Sequence, residues 1–144
     1  MPGNNLSRAV ENTREDTEMP KVLIVDDEPD NIELLGRRLT RRGYVVVGAN
    51  SAEDAISKAT SEMPDIILMD IKMPQIDGLE ATRRLKANAS TRPIPIITLT
   101  AHAMAEDREL AIAAGADEYE SKPVDLLRLL EKMSILLASK PAAP

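Results

Sequence analysis

The stretch Asp65-Ile66-Ile67-Leu68-Met69-Asp70 constrains this chain most, because it sets four consecutive apolar residues between two acids. A run so short and so apolar fits a strand buried on both faces, the kind found in the middle of a parallel sheet. Asp70 ends the run, and Pro74 and Gly78 mark a turn region beyond it. A carboxylate at the C-terminal end of a central parallel strand stands where open α/β sheets present their functional groups. The plainer alternative is that Asp70 only terminates the strand. What else the fold brings near it decides between the two.

Short apolar runs alternate with helical patterns along the rest of the chain. Residues 21–25 read as a first strand, and residues 29–42 as a helix with Pro29 in its first turn, Ile32, Leu35 and Leu39 inward, and Gly43 as its stop. A second strand covers 45–49. Ser51 and Asp54 then resemble a capping pair for a helix that turns Ala52, Ala55, Ile56 and Ala59 to one side. The third strand is 66–70, and Asp77 with Glu80 opens a third helix whose inner face includes Leu79 and Leu85. A fourth strand spans 94–100, with Pro93 and Pro95 at its entry, where a missing N–H is tolerable.

A helix over 103–114 closes at Gly115. Residues 117–121 are poor as a strand on propensity and are assigned as a fifth by position alone. The last helix covers 125–137, with Leu126, Leu129, Leu130 and Met133 inward and an acidic start suited to a helix N-terminus. Five strands, each followed by a helix, demand right-handed crossovers and a parallel sheet covered on both faces. A mononucleotide-binding Rossmann half would want glycines in its first turn. That turn here is Asp26-Asp27-Glu28-Pro29, the wrong charge for phosphate unless a metal intervenes.

Composition narrows the chemistry. The 144 residues contain two Tyr and no Phe or Trp, so the core must be aliphatic and base stacking on single-stranded nucleic acid is disfavoured. A formal charge of -6 argues against nucleic acid or an anionic membrane as partner. There is no cysteine, which removes disulfides, thiol chemistry and Cys-ligated zinc. No apolar run approaches a membrane span and no signal peptide is evident, so a cytoplasmic protein is expected. Residues 1–19 and 139–144 lack periodicity and read as flexible tails around one folded domain over 20–138.

The ends of the first, third, fourth and fifth strands carry Asp26-Asp27, Asp70, Thr100 and Lys122. A doubly wound sheet converges those ends on one crevice. Carboxylates gathered there repel unless a cation or a shifted proton compensates. Oxygen ligands alone suit a hard ion such as Mg²⁺, which keeps several waters and takes few protein ligands. A lysine and a hydroxyl opposite would suit an anionic group. The structural alternative has Asp26 and Asp27 capping the first helix and Lys122 neutralising Asp70.

Over residues 21–137 the sequence resembles the receiver domain of response regulators in two-component phosphorelays. The resemblance rests on Val22-Leu23-Ile24-Val25-Asp26-Asp27, Ile67-Leu68-Met69-Asp70-Ile71-Lys72-Met73-Pro74, Asp77-Gly78, Ile97-Thr98-Leu99-Thr100-Ala101, Gly115-Ala116-Asp117 and Lys122-Pro123. It implies a flavodoxin-like (βα)5 doubly wound fold with strand order 2-1-3-4-5. Asp70 is then the phosphoacceptor, and Asp27, Asp70 and the backbone carbonyl of Lys72 bind Mg²⁺, with Asp26 holding the ion indirectly. Thr100 and Lys122 contact the phosphoryl oxygens, and Lys122-Pro123 corresponds to the family's cis peptide. The implied switch moves Thr100 toward the phosphoryl group and turns Tyr119 inward. Tyr119 as ordinary edge packing is the alternative.

The same resemblance implies a histidine kinase or histidine phosphotransfer protein as phosphodonor, a downstream protein target, and dimerisation on activation as in some relatives. Met104, Arg108, Tyr119 and the outer side of the last helix form the expected responsive surface. His102 flanks the phosphoryl site or faces solvent. Arg37, Arg38, Arg41 and Arg42 read as a docking patch or as a solvated helix face. With about six residues after Ala138, the expectation is a receiver without an output domain in this chain. It is either a whole single-domain regulator or the receiver of a hybrid kinase, and a phosphorylation-independent pseudo-receiver is the remaining alternative. Self-phosphorylation and autodephosphorylation are the implied reactions, without a conventional enzyme classification.

Overall fold

The computed structural model describes residues 19–101 and 105–139. The expectations for the two tails, apart from Met19 and Ser139, and for His102 and Met104 fall outside these residues. The elements in chain order are β1 (Lys21–Val25), α1 (Pro29–Thr40), β2 (Val45–Ala49), α2 (Ala52–Glu62) and β3 (Ile66–Asp70). They continue as α3 (Gly78–Ala87), β4 (Ile96–Thr100), α4 (Ala105–Ala114), β5 (Glu118–Ser121) and α5 (Leu126–Ala138). The strands pair in parallel as β2-β1-β3-β4-β5, so the expected order holds and β3 is central.

All five β3 residues are buried, as a strand covered on both faces requires. Leu23, Val25, Ile67, Met69 and Ile96 join one cluster with α2 and α3 residues, while Val22, Ile24, Leu68, Ile97 and Leu99 join another with Leu35, Leu39, Leu129 and Met133. Period-two alternation in β1, β3 and β4 thus feeds two cores at once. Each buried aliphatic side chain contributes roughly 1.5–3 kcal/mol relative to exposure. The α2 face is built of Ala52, Ala55 and Ala59, whose small side chains let that helix lie close on the sheet.

Boundaries differ from expectation for local reasons. Helix α1 stops at Thr40, because the turn through Arg42 and Gly43 (φ +94°) redirects the chain into β2. Strand β4 begins at Ile96, two residues later than expected, although the Pro95 carbonyl still accepts from Ile67 N–H at 2.9 Å. Strand β5 begins at Glu118, and α5 runs one residue later at each end than its pattern, with Asp125 as its cap.

The caps behave largely as read. Ser51, Asp77 and Asp125 each accept the N–H of the residue three positions on. The Ser51 pair is not a reciprocal box, since the Asp54 carboxylate turns to Asn50 N–H and to Lys58 instead. In α3 the buried face is Gly78, Ala81, Thr82 and Leu85, while Leu79 is half-buried. The rotation of that helix is fixed by Gly78, which donates to Ile71 O at 2.8 Å and lies so close to the end of β3 that a Cβ would strike the Asp70 carbonyl.

Candidate phosphoacceptor and metal site

Parallel pairing is what assembles the site. Val25 stands opposite Met69, so the next residues, Asp26 and Asp70, leave their strands side by side. Asp70 is in register with Leu99, and Thr100 with Ser121. Backbone bonds carry each strand end one step further: Asp26 N–H to Ala49 O, Ile71 N–H to Leu99 O, and Lys122 N–H to Thr100 O at 2.7 Å. The functional side chains therefore stand on hydrogen-bonded backbone rather than on free loops.

Asp26, Asp27 and Asp70 each offer a carboxylate oxygen within 4.8 Å of the others. Asp26 and Asp70 are buried and Asp27 is half-buried. The Lys122 ammonium lies 3.3 Å from Asp70 Oδ1 and 3.5 Å from Asp26 Oδ2. One side chain thus offsets part of two charges, and its pairing with Asp70 agrees with the plainer reading of that lysine as well. Asp26 also accepts from Glu28 N–H at 2.9 Å and from Asn31 Nδ2 at 3.2 Å, so it orders the first turn of α1. Glu28, at the N-cap of α1, makes no side-chain cap bond, and the Asp27 carboxylate lies with the cluster.

Burial raises the Asp70 carboxyl above the ordinary aspartate range; Lys122 pulls it down, Asp26 pushes it further up, and the Lys72 amide pulls it down. Burial dominates. The Lys72 N–H donates to Asp70 Oδ1 at 3.3 Å, while its side chain is exposed. Three carboxylates, two of them buried and with one lysine between two of them, form a donor set that a small hard cation completes. The fit is chemical: all ligands are oxygen, and the charge is in excess.

Thr100 is buried at the end of β4 next to the Lys122 amide. Tyr119 is half-buried on β5, in register with Thr98 and two strand positions short of Thr100's partner. Arg108 is exposed on α4. The Lys122-Pro123 bond is cis, as the resemblance implies. Beside the acids, a groove of about 310 Å³ runs from Asp26 and Lys122 between α1 and the β5–α5 loop, past Asn31, Leu34, Arg38 and Pro123.

The response regulator receiver domain model matches residues 22–134. This chain belongs to the response-regulator receiver family. Protein PilH of Pseudomonas aeruginosa is 38% identical over 120 residues, covering 83% of this chain and 99% of that protein. A putative response regulator of Chloroflexus aurantiacus superposes with a TM-score of 0.80 at 31% identity, covering 84% of this chain and 99% of that one. The receiver domain of the sensor histidine kinase PA1611 from Pseudomonas aeruginosa, solved with a magnesium ion coordinated in its active-site cleft, gives 0.77 at 34% identity over 84% of this chain and 99% of that one. Among the described residues of this receiver, no helix is long and apolar enough to cross a membrane.

Two residues have structural roles that the sequence reading does not give them. Gly78 reads as a turn marker and as part of the Asp77-Gly78 motif, yet it is also the point where α3 seats on the Asp70–Ile71 backbone. Residues 117–121 read only as a poor strand, with Glu120 not singled out, yet Glu120 is buried there with Arg128 and Lys132. The signal for the second was present: Glu120, Arg128 and Lys132 stand eight and four residues apart, one helix face opposite one strand position.

Proposed function

We propose that this receiver accepts a phosphoryl group from a partner's phosphohistidine onto Asp70 and passes the signal on by protein contact. The observation that carries the reading is the meeting of Asp26, Asp27 and Asp70 within 4.8 Å, with Lys122 on two of the three. Asp27, Asp70 and the Lys72 carbonyl would hold Mg²⁺, with Asp26 acting through water. Bound there, the ion supplies positive charge against the phosphoryl oxygens.

The chain's own residues then do the following. An Asp70 carboxylate oxygen attacks phosphorus in line with the departing imidazole; the O–P bond forms as the N–P bond breaks, and the imidazole, carrying a proton on its other ring nitrogen, leaves as the neutral base. Its rigid backbone at the centre of the sheet keeps that oxygen in place. Lys122 moves from its carboxylate partners to a phosphoryl oxygen, and the Thr100 hydroxyl donates to another. The groove beside Asp26 and Lys122, with exposed Leu34 and Arg38 on its α1 wall, is the approach for a helical histidine kinase or phosphotransfer partner. Thr100 and Tyr119 then bias a two-state equilibrium of the surface formed by α4, β5 and α5, which meets the downstream target or a second copy.

Asp70→Asn is the direct test. With Mg²⁺ and a small phosphodonor the parent should incorporate acid-labile phosphate, and the Asn variant should incorporate none. Equal labelling of the two would remove Asp70 as the acceptor. Measuring labelling with and without chelator checks the ion in the same experiment.

A further inference from the structure

We infer that Glu120 is a positioning residue for Lys122: its carboxylate, clamped by two cations of α5, fixes the end of β5 from which Lys122 reaches Asp26 and Asp70. The inference rests on the phosphoryl-transfer reading of that site. Glu120 is 1% exposed. Its register partner is Leu99, which packs in the apolar cluster containing Leu129 and Met133 of α5. An aliphatic residue is what packing alone would place there. A buried carboxylate is costly to desolvate, and only close, well-directed partners offset that cost.

The partners are close. Arg128 Nε donates to Glu120 Oε2 at 2.9 Å, and Arg128 Nη2 lies 2.9 Å from the same oxygen. The Lys132 ammonium lies 2.8 Å from Oε1 as an ion pair, off the line a hydrogen bond needs. That ammonium also donates to the Tyr119 carbonyl at 2.6 Å. Arg128 and Lys132 are four residues apart and so project from one face of α5. Together they bolt one turn of α5 to two consecutive residues of β5.

Apolar contact between a helix and a strand tolerates small slides, whereas directed ionic contacts fix one register. Two residues beyond Glu120, the Lys122 amide donates to Thr100 O, and its long side chain bridges two carboxylates. The position of that ammonium depends on where its backbone is held. A misplacement of about 1 Å at a reacting site can cost on the order of a hundredfold in rate.

The test compares the parent with Glu120→Leu and Glu120→Gln in four measurements: thermal melting, Mg²⁺ affinity by calorimetry, kcat and KM for phosphoramidate, and hydrogen exchange of the Lys122 amide. Glu120→Leu removes the one fully buried charge of the cluster, while Arg128 and Lys132, 52% and 24% exposed, keep access to water, so the variant should melt near the parent. Its kcat should nevertheless fall about tenfold or more, with Mg²⁺ affinity unchanged and Lys122 exchange faster, and Glu120→Gln should fall between. A Leu variant with parental kcat and parental Lys122 protection overturns the inference. If the Leu variant melts well below the parent, the isosteric Gln variant carries the same comparison. If the parent itself takes no phosphate, the phosphoryl-transfer reading fails, while Lys122 exchange still decides whether the clamp positions that residue.

Discussion

Burial raises the Asp70 carboxyl, and the opposing pull of Lys122 is too weak to restore it, while Asp26 adds like charge. The folded chain therefore binds a proton at Asp70 more readily than the unfolded chain does. For a group raised in this way, the stabilising contribution is fully present below the unfolded value near 3.8 and is lost as pH rises through the folded value. At neutral pH the ionised Asp70 is thus a strain on the fold. Asp70→Asn should raise stability at neutral pH in chelator, because the neutral amide removes the buried charge that Lys122 only partly offsets. That advantage should shrink as pH is lowered toward the ordinary aspartate range. Paired melting curves across pH measure it, and an Asn variant that melts lower at neutral pH would refute the account.

The elements show how the site is braced from below. Gly78 approaches the Asp70 carbonyl so closely that any side chain there displaces α3 or the end of β3. Gly78→Ala should cost on the order of 1–3 kcal/mol in urea denaturation. It should also weaken Mg²⁺ binding by calorimetry, because the Asp70–Lys72 backbone would move. The elements themselves were legible where periodicity was unbroken: β1, β2 and β3 match their apolar runs, and Ser51, Asp77 and Asp125 cap as their chemistry predicts. What was not legible depends on a neighbour far along the chain. Strand β5 is polar in sequence, and its Glu120 becomes tolerable only once Arg128 and Lys132 cover it. Leu79 reads as an inner residue of α3 until Gly78 sets that helix's rotation and brings Ala81 and Thr82 inward instead. The grouping of Asp26, Asp27 and Asp70 was readable, because parallel strands of similar length must end together; their distances and the double pairing of Lys122 needed the fold.

At the scale of the molecule, an ion that binds only the folded site stabilises by mass action, about 2.7 kcal/mol at a hundredfold excess over its dissociation constant. Mg²⁺ should therefore raise the melting temperature of the parent, chelator should reverse the rise, and Asp27→Asn should abolish most of it in the same thermal scan. The distribution of charge makes a separate demand. The chain is acidic overall, at -6, yet α1 and its exit turn expose Arg37, Arg38, Arg41 and Arg42. Arg37 pairs with Glu33 at 2.6 Å, whereas Arg38, Arg41 and Arg42 have no acidic partner among the described residues. Arg38 also lines the groove that opens beside Asp26 and Lys122. A basic strip on an acidic protein, reaching that groove through Arg38, favours a partner with an acidic rim and steers its approach. Reversing Arg38 and Arg41 to Glu should slow phosphotransfer from the cognate histidine protein by about tenfold at low salt, and the gap should narrow as salt shortens the screening length. A small phosphodonor has no rim to be steered by. Its labelling rate should be unchanged, so the ratio of the two rates separates docking from chemistry, and equal slowing with both donors would place the arginines' effect in the site itself.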